Sequence, residues 1–171
     1  NVAFRRDGRV EAQCALDATD FATAPAENGM LLAVDKVAGT IRMPDSSEVC
    51  PVGLNYTSEH MYDERANALK NFKLTTKDGF YPRIGYLAVG DKFTTNCVSY
   101  DSAKDSTWTS KDKFIEALGA ISTTKLYGTQ SADGSILVSA TAPTAGIKLL
   151  VIQKTTMPDG QLGIKFQVIG A

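Results

Sequence analysis

Between residues 124 and 169 the chain alternates apolar and polar residues in runs separated by turn signals, and a period of two commits those runs to strands. Ile136, Val138 and Ala140 share one face of the first run. Ile147, Leu149 and Val151 share one face of the second, against Lys148. Ile164, Phe166 and Val168 alternate with Lys165 and Gln167 in the third. Met157-Pro158-Asp159-Gly160 separates the last two. Proline presets φ, the Asp side chain supports the turn, and glycine accepts the positive φ that closes a hairpin. With Leu126-Tyr127 opening the series and Asp133-Gly134 turning into Ser135, the spacing predicts a four-strand β-meander over 124–169.

The preceding hundred residues are less regular. Met30–Val34 and Gly39–Met43 are apolar runs joined by Asp35-Lys36-Val37-Ala38, the pattern of a hairpin. Strands are expected over Val49–Thr57, Ile84–Val89 and Phe93–Tyr100, the last two joined by Gly90-Asp91. Ser110 is a good N-cap, and Phe114, Leu118 and Ile121 fall on one face, predicting a helix near 110–121. A second, weaker helical stripe runs through Tyr62, Ala66, Leu69 and Lys73. Residues 1–28 carry an Asp7-Gly8 turn signal and an Ala- and Asp-rich stretch with isolated Leu16 and Phe21, and read as an extended N-terminal arm. No internal repeat is visible. The expectation is a mainly β (α+β) protein. Its single β-rich domain over 29–171 is an antiparallel sheet or barrel-like body with one or two short helices.

Composition narrows the function classes. Eighteen basic and nineteen acidic residues are spread along the chain for a net charge of −1, with no run of Lys or Arg that would track a phosphate backbone. Arg5, Arg6 and Arg9 are the one local basic cluster, and they are expected to be solvated or bound to a protein carboxylate rather than to phosphate. No apolar run approaches the roughly 18 residues of a membrane span. Asn1–Val10 is polar, so no signal peptide is expected there. Cys14, Cys50 and Cys97 are odd in number and widely spaced, which fits neither a CxxC metal pair nor a disulfide framework; reduced thiols are expected.

Candidate chemistry is sparse. His60, with Glu59, Asp63 and Glu64 nearby, is the single histidine. A metal site needs three or four convergent ligands, and a nucleophilic triad needs its own sequence context, so His60 is expected on a surface or interface. There is no nucleophile elbow, no P-loop and no dinucleotide-binding glycine pattern. No catalytic residue, cofactor or metal is expected. Tyr56, Tyr62, Tyr81, Tyr86, Tyr100 and Trp108 crowd the middle of the chain, as a β-core, an interface or a ligand groove would require. Tyr62-Asp63-Glu64-Arg65 and Tyr81-Pro82-Arg83 pair a tyrosine ring with an arginine, two residue types favoured as contact anchors. Arg5, Arg6, Arg9, Tyr56, Tyr62, Arg65, Tyr81 and Arg83 are therefore the candidate interface residues.

Four stretches carry a family resemblance: Leu54-Asn55-Tyr56-Thr57, Tyr62-Asp63-Glu64-Arg65-Ala66, Gly90-Asp91-Lys92-Phe93-Thr94-Thr95-Asn96 and Gly163-Ile164-Lys165-Phe166-Gln167-Val168. In these the chain resembles small structural proteins of tailed bacteriophage virions, in particular the head decoration or cement proteins. The resemblance implies a non-enzymatic protein on the capsid surface, assembled in the host cytoplasm. It would bind the major capsid protein lattice, stabilise the head and self-associate. Neither nucleic acid nor membrane is an implied partner. The alternative is a small-ligand or carbohydrate-binding β-domain with a site built from Tyr81, Tyr86, Tyr100 and Trp108.

Overall fold

A computed structural model describes residues 2–3, 10–45, 48, 50–57, 73–74, 76, 81–100, 108–118, 125–157 and 160–170. The fold is mainly β, with one short helix among the described residues and two principal sheets, one curled into a half-barrel. In the first half the strands are β1 (Val2–Ala3), β2 (Val10–Gln13), β3 (Ala15–Leu16), β4 (Ala26–Glu27), β5 (Leu31–Asp35), β6 (Thr40–Arg42), β7 (Val52–Asn55), β8 (Lys73–Leu74) and β9 (Arg83–Gly85). In the second they are β10 (Lys92–Thr95), β11 (Val98–Tyr100), β12 (Tyr127–Gln130), β13 (Ile136–Ser139), β14 (Lys148–Thr156) and β15 (Leu162–Gly170), with helix α1 (Lys111–Ala117) between β11 and β12. Residues 1–28, expected as an extended arm, supply β1 to β4, each paired with a strand of the body.

One sheet runs β2-β9-β7-β5-β6-β3, the other β1-β10-β15-β14-β12-β13-β11, and a two-stranded sheet pairs β4 with β8. Strands β2 and β3 lie at opposite ends of their sheet, yet only Cys14 separates them in sequence. Five strand spacings of a flat sheet would set them ~24 Å apart, whereas one intervening residue spans at most ~7 Å. The sheet therefore has to curl until its edges meet. The same constraint acts on β10 and β11, five spacings apart in the order but linked by Asn96-Cys97 alone. The expected single strand over Phe93–Tyr100 is thus two strands that part to opposite edges.

This shared constraint exposes a repeat that the sequence hides. Taken in chain order, β2, β3, β5, β6, β7 and β9 form their sheet in the order first, sixth, fifth, third, fourth, second. Strands β10 to β15 form theirs in the same order. In each half the second and fourth strands pair in parallel and the other pairs are antiparallel. Registers coincide as well. The row Leu31–Leu54–Gly85 falls on Tyr127–Leu150–Gln167, and the pair Leu32–Gly53 falls on Gly128–Leu149. Just beyond those rows, Asn55 N donates to Met30 O and Val151 N to Leu126 O, both at 2.9 Å.

Strand order also corrects the meander. The four C-terminal strands form, but β14 pairs with β12, not with its sequence neighbour β13, whose other edge is taken by β11. The connection 140–147 is long enough to carry the chain from β13 past β12 to the far side. The turn into β15 closes as expected, with Met157 N donating to Gln161 O at 2.8 Å and Gly160 at φ 83°. Ser110 caps α1 by accepting from Lys113 N, and Phe114, Ile115 and Leu118 are buried against β11 and β15. The weaker helical stripe lies outside the described residues apart from Lys73, which belongs to β8.

Each half has its own interior. Leu16, Phe21, Ala26, Leu32, Val34, Ile41 and Ile84 form one core; Phe93, Phe114, Ile136, Leu149, Ile164, Phe166 and their neighbours form the other. Leu31 and Leu54 belong to the second core although they sit in the first sheet. They face outward from their own barrel and bury themselves against the second half. That is why Leu31–Val34 is buried at every position instead of alternating.

Candidate interaction surface

Of the eight residues singled out in the sequence, Tyr56, Tyr81 and Arg83 are described. Arg5, Arg6, Arg9, Tyr62 and Arg65 lie outside the described residues, as does His60. Pairing of β7 with β9 brings Tyr56 and Arg83 together across 27 residues of sequence. Tyr56 N donates to Arg83 O at 3.1 Å, and the guanidinium carbon sits 5.8 Å from the Tyr56 ring centroid. Two residues before Arg83, just ahead of that strand, Tyr81 is 58% exposed. Pro82 between them is buried and pins the segment to the body.

A polar network fixes the backbone under these side chains. Asn55, 1% exposed, donates from Nδ2 to Glu27 O at 2.9 Å. Its Oδ1 accepts from the Thr57 hydroxyl at 2.6 Å. The same hydroxyl oxygen accepts Arg83 N at 3.0 Å, and Asn28 Nδ2 donates to Thr57 O at 2.9 Å. Burying an amide costs free energy unless its groups are satisfied; here both ends of Asn55 are, so the residue ties three chain segments into one rigid platform. The outcome is a Tyr56–Arg83 pair held at the ends of paired strands beside the exposed Tyr81, and the pair has little side-chain freedom left to lose on binding.

The aromatic groove required by the alternative reading does not assemble from the four rings assigned to it. Tyr100 stacks on Phe114 at 5.1 Å, and Trp108 meets the same ring edge-on at 4.9 Å, so both close the second core. Tyr86 packs on the first core, under Lys36 Nζ at 5.8 Å from its centroid, while Tyr81 points to solvent. Two cores and the surface divide the set.

The cysteines are free thiols, and Cys97 is buried. Burial, with Glu27 nearby, pushes its pKa up to about 11, and its Sγ donates to Asn28 O at 3.2 Å. Arg42 bonds Glu48 at 2.7 Å, with the Glu48 side chain 1% exposed; this pair holds the loop after β6. Among the described residues no cluster of three or more His, Cys, Asp or Glu could hold a metal ion, and no helix is long and apolar enough to cross a membrane.

No family model, no curated protein and no solved structure matches this chain.

Proposed function

We propose that this protein is a non-enzymatic structural component of a tailed-bacteriophage virion, a decoration or cement protein that docks on the major capsid protein lattice and stabilises the head. The observation that supports the reading best is the Tyr56–Arg83 pair beside the exposed Tyr81, where contact-anchor side chains stand next to the hydrogen bonds of the buried Asn55. Backbone pairing by the N-terminal segment supplies a second mode of attachment. Strand β1 adds to the edge of β10 through Val2 and Ala3, so this segment is able to extend a sheet. Many copies on a symmetric lattice make modest individual contacts effective through avidity.

The test is binding of the purified protein to expanded, undecorated heads, read by electron microscopy and by the temperature at which the heads rupture. Wild-type protein is expected to coat the heads and raise that temperature. Tyr81→Ala, an exposed change that leaves the fold intact, is expected to lower occupancy about tenfold, the scale of one truncated anchor. Absence of wild-type binding to every head form removes the proposal.

A further inference from the structure

The strands of the seven-stranded sheet hold Lys92, Lys148, Lys154 and Lys165 but no Asp or Glu. Residues opposite one another in an antiparallel ladder share a face, and the pairs Lys92–Gln167 and Thr94–Lys165 flank Phe93–Phe166, whose rings are buried. Lys92 and Lys165 therefore stand together on the outer face. Lys148, next to the inward Leu149 on β14, joins them with its stem over Gly170, where an added Cβ would stand 3.1 Å from Lys148 Cδ. Lys154 donates to Glu116 O at 3.0 Å, but Lys92, Lys148 and Lys165 form no hydrogen bond or ion pair among the described residues. Thr94, Gln153 and Gln167 share their face and carry no charge, so no carboxylate of these strands offsets the three ammonium groups.

The first half carries the opposite sign. Over residues 10–57, Glu11, Asp17, Asp20, Glu27, Asp35, Asp45 and Glu48 are set against Lys36 and Arg42 alone. Asp17, Asp20, Asp45 and Glu48 converge on the end of β6. Asp17 N donates to Ile41 O and Asp20 Oδ2 accepts from Met43 N, both at 2.8 Å, while Asp45 Oδ2 lies 3.8 Å from Arg42 Nη1. The one guanidinium there is engaged by Glu48 at 2.7 Å. Asp17 and Asp20 meet no cation among the described residues, and their oxygens accept from the backbone N–H groups of Thr19, Asp20 and Met43. These hydrogen bonds hold the carboxylates in place at the surface, and the Asp45 side chain is 58% exposed.

We propose that a second copy of this chain sets the acidic end of its first half, at Asp17, Asp20 and Asp45, against the lysine face of β10, β14 and β15. Charge complementarity selects the occupant: one molecule carries both signs, segregated to different halves, and each surface lacks its counter-charge within the chain. The net charge of −1 leaves almost no overall repulsion between copies to oppose the contact. Met43, half-buried among the carboxylates, and Leu150, half-buried in the row of Lys92 and Gln167, give the contact an apolar centre inside a charged rim. An anionic membrane fits the face less well, because Leu150 lies half-buried within a sheet and does not project from a loop. This inference does not depend on the capsid reading and is tested without heads.

The experiment is sedimentation equilibrium of the full chain over micromolar to millimolar concentrations. It is run at about 0.01 M and about 1 M salt, between which the screening length falls from about 30 Å to about 3 Å. Wild type is expected to exceed the 18.3 kDa monomer at low salt and to return to it at high salt. Lys92→Gln with Lys165→Gln disables the face. Asp17→Asn with Asp45→Asn disables the acidic end, while the amide oxygen at 17 still accepts from Thr19 N and Asp20 N. Each pair is expected to weaken low-salt association about tenfold or more. Lys111→Gln with Lys125→Gln, at two exposed positions elsewhere, changes net charge as the face variant does and is expected to associate like wild type. A matched urea midpoint shows that each variant is folded. A wild type that stays monomeric at low salt overturns the proposal, as does association indifferent to salt. So does a face variant that associates like wild type, or a Lys111/Lys125 variant that loses as much. A thymidine oligomer that binds a wild type showing no self-association would assign the face to phosphate instead.

Discussion

Replacing Gly128 by alanine tests the packing that makes the second half differ from the first. At this register position the first half has Leu32 opposite Gly53, and the second has Gly128 opposite Leu149: the same pair with sizes exchanged. An alanine Cβ at 128 would stand 2.7 Å from Ile136 Cγ2, 3.1 Å from Phe166 Cε1 and 3.4 Å from Leu149 Cβ. All three side chains are fully buried, so none can swing into solvent. Overpacking of this kind costs about 1–3 kcal/mol. Loss of glycine's freedom in the unfolded chain returns about 0.5–1 kcal/mol. The net expectation is a destabilisation of about 1–2 kcal/mol, read as a fall in the urea midpoint at unchanged slope. Pairing Gly128→Ala with Ile136→Ala, which alone costs about 2–5 kcal/mol, should give a double variant better than the sum by about 1 kcal/mol, because the new methyl occupies the space the isoleucine vacates. A Gly128→Ala protein as stable as wild type, or a strictly additive cycle, would refute the reasoning.

Two further outcomes are expected. Cys97 titrates near 11 when folded against a reference value of 9.0. A raised thiol pKa leaves stability intact below pH 9 and removes it as pH climbs toward 11, by about 2–3 kcal/mol; Cys97→Ala should flatten that alkaline decline in urea titrations at pH 8 and pH 10.5, and an unchanged slope would count against the buried thiol. Glu48→Ala should cost about 2–4 kcal/mol, since the carboxylate accepts from Arg42 Nη2 and Cys50 N, both at 2.7 Å; Glu48→Gln, which keeps an acceptor, should cost clearly less by the same assay.

Legibility in the sequence followed burial geometry. The C-terminal strands face a core on one side, so Ile136, Val138, Ile164, Phe166 and Val168 alternate and could be read directly. The Asp35–Gly39 hairpin and the Ser110 cap were readable because turn and cap chemistry is local. Strand β5 gave a plain apolar run, because Leu31 and Leu32 serve different cores. The break at Asn96-Cys97 carries no glycine or proline, so nothing local marks two strands that part to opposite edges. The repeat stayed invisible for a related reason: equivalent positions conserve volume across a pair rather than identity at a site. Leu32–Gly53 and Gly128–Leu149 fill similar space with no residue in common. At the candidate surface, Tyr56 and Arg83 were both legible as anchors, but their juxtaposition is a property of β7 pairing with β9. Asn55, which organises that surface, gave no signal, since a buried amide looks like any surface asparagine until its partners are known.

The closing strand of each half is its last in the chain, and this sets an order of assembly on the ribosome. The first barrel cannot close until Gly85 has been made, because β9 supplies the partner for both β2 and β7. Synthesis then reaches β10 after only six intervening residues, but the second barrel waits for β15, which ends at Gly170. Throughout that interval Leu31 and Leu54 face solvent on an otherwise finished domain, with their permanent cover still inside the exit tunnel or unpaired. The nascent chain therefore carries a temporary adhesive row, and the speed with which the second half is completed governs whether that row meets its own cover or a neighbour's.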